Sequence, residues 1–288
     1  MVQPSDRLSI GRAALWIVFS TLLISGSAAA SWAYYQHLIA SRALDPAFDI
    51  TILVQTGPER EALRTEYLAE LLDLSVDKPT NIYNFNVKAS TQKLLSSPVI
   101  KDALVRTYNP GAVYVDYTIR RPIAYLGDYR NTAIDSEGFL FPCEPFFTPK
   151  KLPEVYVGLP PNLPSDEVWN TQISEGAFPV AIAVIDAVNN IIGPERCRII
   201  KVDVSKAFAE SYGQRQIVLQ LEDIVSQNGI LYYLPRTLRL SPSRYQESLK
   251  DYLILSDHLA KQLPVSDQPI YRGSPQVIDL RLPNLAYF

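Results

Sequence analysis

Apolar and polar positions alternate through Val113 to Arg120. Val113, Val115, Tyr117 and Ile119 fall on one side, and Tyr114, Asp116, Thr118 and Arg120 on the other, as in a strand with one buried face. A second strand-like run, Val99 to Tyr108, precedes it across Asn109-Pro110-Gly111, a triplet suited to a tight reversal. The two runs predict a hairpin. Upstream, Phe48 to Val54 reads as a strand. Gly57-Pro58 predicts a helix start, with Glu59 and Glu61 in its first turn and an apolar stripe of Leu68, Leu71 and Leu72. Asn86 can cap a second helix carrying Leu94 and Leu95, which Pro98 stops.

Downstream, Pro142 to Pro164 is proline-dense and reads as an extended connection. Pro179 begins a helix: Ala181, Val184, Ile185, Val188, Ile191 and Ile192 recur at helical spacing until Gly193-Pro194. Ile200 to Val204 and Ile217 to Glu222 alternate as strands. Ser241-Pro242 predicts a capped helix striped by Tyr245, Leu249, Leu253 and Leu263 and ended by Pro264. Val277 to Leu282 is a last alternating strand, with Ile278, Leu280 and Leu282 inward and Val277, Asp279 and Arg281 outward. A terminal strand often lies at a sheet edge, which offers unpaired main-chain groups to another chain. Tyr287 and Phe288 follow, two aromatics that either pack on their own domain or meet a partner.

Ala13 to Ala33 carries no charge. As a helix it would be about 32 Å long, enough to span a bilayer core. Trp32, Tyr34 and Tyr35 stand where an interfacial belt would. Arg7 and Arg12 place the short N-terminus in the cytoplasm. A cleaved leader, with small residues from Ser25 to Ala30, is the competing reading. Either one exports the chain from about residue 36.

At 288 residues and a net charge of −3, the chain has room for two modest domains plus an anchor, and nothing in its charge suggests a nucleic-acid-binding surface. Seventeen tyrosines suit a strand-rich protein. The two cysteines, Cys143 and Cys197, could pair outside the cytoplasm or stay as buried thiols. Chemistry is sparse. His37 and His258 read as an interfacial and a solvated side chain. Ser90 to Lys93 fits Ser-x-x-Lys, and Ser226 to Asn228 fits Ser-x-Asn, as in penicillin-binding proteins. The third Lys-Thr-Gly element is missing, and the first pattern arises by chance in a serine-rich chain. No catalytic residue, metal site, cofactor or small-molecule substrate is expected. Arg120 and Arg121 read as a solvated patch at a strand end, with docking of a partner there as the alternative.

The order Ser97-Pro98-Val99, Ala103, Arg106, an Asn-Pro reversal, Arg120-Arg121-Pro122-Ile123-Ala124, then Ile134-Asp135-x-x-Gly138 resembles the bacterial cell-division FtsQ/DivIB family. Leu152-Pro153 followed by Gly158, and Asp279-Leu280-Arg281, are also similar to segments of that family. Ile119 departs from the usual glutamate. The resemblance implies an α+β protein: a cytoplasmic tail (1–12), a transmembrane helix (13–35), a POTRA domain of strand-helix-helix-strand-strand order (46–122) and a mostly antiparallel β-domain with helices (123–288). It implies a non-enzymatic inner-membrane scaffold, its N-terminus cytoplasmic and its bulk periplasmic, binding the divisome proteins FtsB and FtsL. Partner-binding residues would be Val277, Asp279, Leu280, Arg281, Tyr287 and Phe288, with Arg120 and Arg121 as a second patch. A POTRA-bearing export or insertion component, binding extended polypeptides, is the alternative; such a protein is expected to continue into a membrane β-barrel, whereas this sequence stops at Phe288.

Overall fold

A computed structural model describes residues 10–160, 168–264, 268–283 and 285–288. Arg7 and most of the tail, Pro161 to Pro164 of the proline-dense stretch, and Asn284 lie outside the described residues. The protein is mixed α/β, with five α-helices among the described residues, the first of them apolar. It divides into two units. The first holds 1–56, 64–94 and 103–117; the second holds 57–63, 95–102 and 118–288.

In the first unit, α1 (Ile10–Arg42) runs 33 residues, well past Tyr35. Among the described residues it alone is long and apolar enough to cross a membrane, a test that a signal sequence also passes. None of its most apolar stretch is buried. Its far end is tied down: the Asn81 side-chain amide donates to the carbonyls of Arg42 and Asp45, each at 3.0 Å, and Arg42 Nη1 donates to the Tyr83 hydroxyl. After a 3-10 turn at Pro46–Phe48 come β1 (Ile52–Thr56), α2 (Thr65–Leu71) and α3 (Val87–Ser96). Then come β2 (Ile100–Tyr108) and β3 (Ala112–Ile119). The sheet order is β1-β3-β2, with β1 parallel to β3. Val113, Val115 and Tyr117 are buried and Asp116 and Thr118 exposed, as the alternation requires. Asn86 Oδ1 accepts from the Ala89 amide and caps α3.

Two expectations here change. No helix starts at Gly57-Pro58, and α2 begins at Thr65. Glu61 takes a left-handed φ of 63°, and its carboxylate is held within the second unit by Lys150 at 2.7 Å and by the Thr148 hydroxyl. A helix through 61 would break both. Leu95 is exposed rather than part of the α3 stripe.

The second unit is built on a nine-stranded sheet. Its path runs β11-β10-β9-β8-β7-β4-β5-β6, and β12 also pairs with β10. The short strands are β4 (Ala124–Leu126), β5 (Thr132–Ile134), β6 (Leu140–Pro142) and β7 (Glu154–Tyr156). β8 (Cys197–Asp203), β9 (Ile217–Gln227) and β10 (Ile230–Leu240) are longer. β11 (Ile270–Arg272) and β12 (Gln276–Asp279) share one edge of β10. The sheet is mixed rather than mostly antiparallel. β9–β10 and β8–β9 are antiparallel, but β7 pairs parallel with both β4 and β8, and β11 and β12 run parallel to β10. α4 (Ala177–Ile191) and α5 (Tyr245–Ala260) pack on it, burying Ala181, Val184, Val188, Leu249 and Tyr252 against Leu219, Leu221 and Leu238. α5 starts after the Ser241-Pro242 turn, with Arg244 at its N-cap position and no side-chain cap.

The proline-dense stretch is more than a connection, since β7 lies inside the sheet. What fixes it is Asp128, whose carboxylate accepts from the amides of Val157, Gly158 and Leu159 at 2.9–3.0 Å. Cys143 and Cys197 are both free and buried. Burial pushes their thiols up to about 11 and about 12, which suppresses the reactive thiolate.

Candidate functional site

The edge strand β12 collects most of the residues singled out in the sequence. β9 and β10 form a long hairpin through Asn228-Gly229, both at positive φ, the two-residue turn that matches strand twist. β10 thereby offers its far side to β12, with Leu238 opposite Ile278 and Arg239 opposite Asp279. The Leu280 amide donates to the Arg239 carbonyl at 2.8 Å, and Ser248 Oγ on α5 donates to the Leu280 carbonyl at 2.9 Å. Ile278 and Leu280 are buried, and Val277 is half exposed. Leu282 is exposed, because the strand ends at Asp279 and the inward alternation ends with it.

In a parallel ladder, alternate residues direct their main-chain groups to one neighbour. Ile278 and Leu280 face β10, so Val277 and Asp279 face out. At Asp279 the outward groups are already used: its amide donates to the Tyr287 carbonyl at 2.9 Å, and its carbonyl accepts from the Tyr287 amide at 3.2 Å. The tail therefore folds back as one rung of an antiparallel ladder. Val277 stays open. Leu282, Leu285, Tyr287 and Phe288, which follow it in the chain, are exposed.

Asp279 and Arg281 form a two-pronged pair, Nε to Oδ1 at 3.0 Å and Nη2 to Oδ2 at 2.7 Å. Arg281 Nη1 also donates to the Gly213 carbonyl. Partial burial raises the Asp279 carboxyl, but the Arg281 bonds outweigh it and hold the acid below its usual range. A cavity of about 550 Å3 opens beside this pair, lined by Tyr212, Arg215, Leu282 and Tyr287.

Arg120 and Arg121 part company. The reading of both as a solvated patch is corrected for Arg120, which is buried, donates to Asp135 Oδ2 at 2.9 Å and lies 3.8 Å from the centre of the Phe139 ring. Asp135 in turn accepts from the amides of Glu137 and Phe139 through Oδ1, and Gly138 turns at φ 86°. The Asp-x-x-Gly spacing thus builds a turn whose free carboxylate oxygen meets Arg120. Arg121 remains exposed on the wall of a cavity with Arg60 and Lys150.

Ser90 is buried on α3, and Lys93 is ion-paired with Asp73. Ser226 and Asn228 belong to the other unit, at the β9–β10 turn. His258 on α5 meets the Gln262 amide. Among the described residues no group of three His, Cys, Asp or Glu is placed to hold a metal ion. Two buried polar groups went unnoticed in the sequence. Asp223 on β9 accepts from Tyr252 and Ser256, and Arg236 lies on β10. No protein-family model matches the sequence, and no curated protein is similar enough to match it.

Proposed function

We propose that this chain is a non-enzymatic, membrane-anchored scaffold of the FtsQ/DivIB type, which recruits cell-division partners through the β12 edge. The observation that carries the reading is the open rung at Val277 on a strand locked from behind by β10 and α5, with exposed Leu282, Leu285, Tyr287 and Phe288 following it in the chain. An added strand would take affinity from main-chain bonds and specificity from alternate side chains. The order β1-α2-α3-β2-β3, with helices between the first two strands, supports assigning the first unit as a POTRA domain. The apolar α1 supports a single-pass inner-membrane anchor with the bulk of the chain outside the cytoplasm. The partner would be a short coiled-coil protein of the FtsB or FtsL kind, supplying an extended segment beyond its coil.

The test is capture of the extracytoplasmic segment of an FtsB-type protein by the full chain in lipid nanodiscs. Replacing Tyr287 and Phe288 together by Ser is expected to weaken capture about thirtyfold, the loss of roughly 2 kcal/mol typical of a buried aromatic anchor. Val277→Pro, which blocks the open rung, is expected to abolish it. Equal capture by folded wild type and both variants would move the partner surface away from β12.

A further inference from the structure

Arg236 is the unexplained charge of the second unit. Strand β10 places it opposite Leu221 and two residues beyond Leu234, which faces Asp223. Its side chain therefore points to the helix-covered face of the sheet, and it is only 6 % exposed. Its Nε has no hydrogen-bond partner, and no ion pair reaches the guanidinium among the described residues. Asp223 is close enough to feel its charge but gives it no hydrogen bond. Asp223 spends Oδ2 on Tyr252 and Ser256, and its Oδ1 is itself without a partner. A desolvated guanidinium is costly unless an anion meets it.

There is room for one. Arg236 lines a cavity of about 220 Å3 whose walls are Leu234 on β10, Leu259 and Leu263 at the end of α5, and Tyr271. Gln262, Ser274 and Gln276 supply polar groups around it. The cavity opens where the sheet edge is interrupted. β11 covers Leu231 to Tyr233 of β10, and β12 covers Arg236 to Arg239, so Leu234 and Pro235 lack a partner strand on that side. Gly273 sits in that gap against the Leu234 side chain, where a Cβ would meet it at 2.9 Å. Ser274, Pro275 and Gln276 are exposed. Gln276 is both a wall of the cavity and the residue before Val277, so the socket lies one residue from the open rung.

We propose that the Arg236 cavity is a carboxylate socket, filled by an acidic side chain of the segment that adds to β12. This rests on the edge reading above. Because the guanidinium itself is almost wholly buried, one charge-assisted bond to it discriminates more than the same contact on the surface. The socket also sets direction: only one orientation of an added strand brings its acidic position over the gap while its alternate residues pass Val277.

The experiment uses the full chain in nanodiscs. A random peptide display library is selected in parallel on wild type, Arg236→Met and Ser274→Trp, the last closing the mouth from its exposed side without touching the core. Binders that are lost on Val277→Pro define the edge class. Within that class, wild type is expected to enrich Asp or Glu at one fixed position, and replacing that acid by its amide is expected to weaken binding about tenfold. Both effects are expected to vanish on Arg236→Met and on Ser274→Trp. Edge binders without an acidic position, or the same enrichment on Arg236→Met, would overturn the proposal. A second arm reads thermal unfolding in sodium acetate against sodium chloride at equal ionic strength. Acetate is expected to raise the midpoint of wild type but not of Arg236→Met. If no edge class is recovered, the strand-addition reading fails. An acetate shift confined to wild type would then leave a socket for free small carboxylates and overturn the peptide source. No shift with no acidic enrichment would make Arg236 a structural residue only.

Discussion

The end of β3 and the middle of β10 each bury a guanidinium, Arg120 at 7 % and Arg236 at 6 % exposure. Nε lacks a partner at both, but at the first a carboxylate and an aromatic face meet the charge, and the carboxylate is itself oriented by two amides. At the second, no carboxylate makes an ion pair among the described residues: Asp223 feels the charge but is turned toward a tyrosine and a serine. Equal burial therefore means opposite things. A satisfied buried charge is part of the framework, because removing one member strands the other. An unsatisfied one is a standing cost that the fold carries, and a ligand that meets it relieves that cost.

The largest consequence is expected at the satisfied site. Arg120→Met should destabilise the protein by about 3–5 kcal/mol, since Asp135 is left buried without its cation. Adding Asp135→Asn, which keeps an acceptor for the two turn amides, should recover a large part of that loss. Urea unfolding of the single and double variants measures it, and a single-variant loss below about 1 kcal/mol would erase the contrast. At the unsatisfied site the sign reverses. Arg236→Met, close in volume and free of charge, should leave stability unchanged or raise it by up to about 2 kcal/mol. The same unfolding curves check it, and a loss like that of Arg120→Met would mean the guanidinium is already paired.

The smallest effect concerns the acid between them in character, Asp223. Burial raises its carboxyl above 3.8, against the lowering by Tyr252, Ser256 and the arginines. The folded state thus holds this proton more tightly than the unfolded chain. Its contribution to stability falls as pH rises from 3.8 through the folded value, and is regained as pH is lowered. Asp223→Asn does not titrate, so the stability difference between wild type and this variant should shift in favour of wild type as pH is lowered from 7 toward 4. A difference independent of pH would show Asp223 to be unperturbed.

Local patterns were readable in the sequence, and long-range ones were not. The β2–β3 hairpin, the Asn86 cap and the apolar face of α4 each lie within one stretch of chain, so alternation, a capping side chain and a 3.6-residue period suffice. Gly111 sits in the reversal, as its triplet predicts, but the need for glycine there is not local. Its φ is not positive; a Cβ there would collide with the Asp49 carbonyl, which only the folded chain brings near. β7 hid among prolines because its partners are β4 and β8, and its anchor is Asp128. β10 was missed although Asn228-Gly229 announces a hairpin, because Arg236 interrupts its apolar face. For the same reason the socket could not be read: a charged residue on an inward position looks like a break in the pattern until the strand is seen.

The clasp at the end of α1 has a mechanical consequence. Asn81 grips the carbonyl of the last helical residue, Arg42, and that of Asp45 three residues on, and Tyr83 holds Arg42, while α1 carries on from Tyr35 to Arg42 for about 10 Å of rigid rise. A pivot needs a loose joint, and this one is bolted. In the single-pass anchor proposed above, a roll or tilt of this helix would be handed to the first unit through these bonds, as torque at a bolted joint.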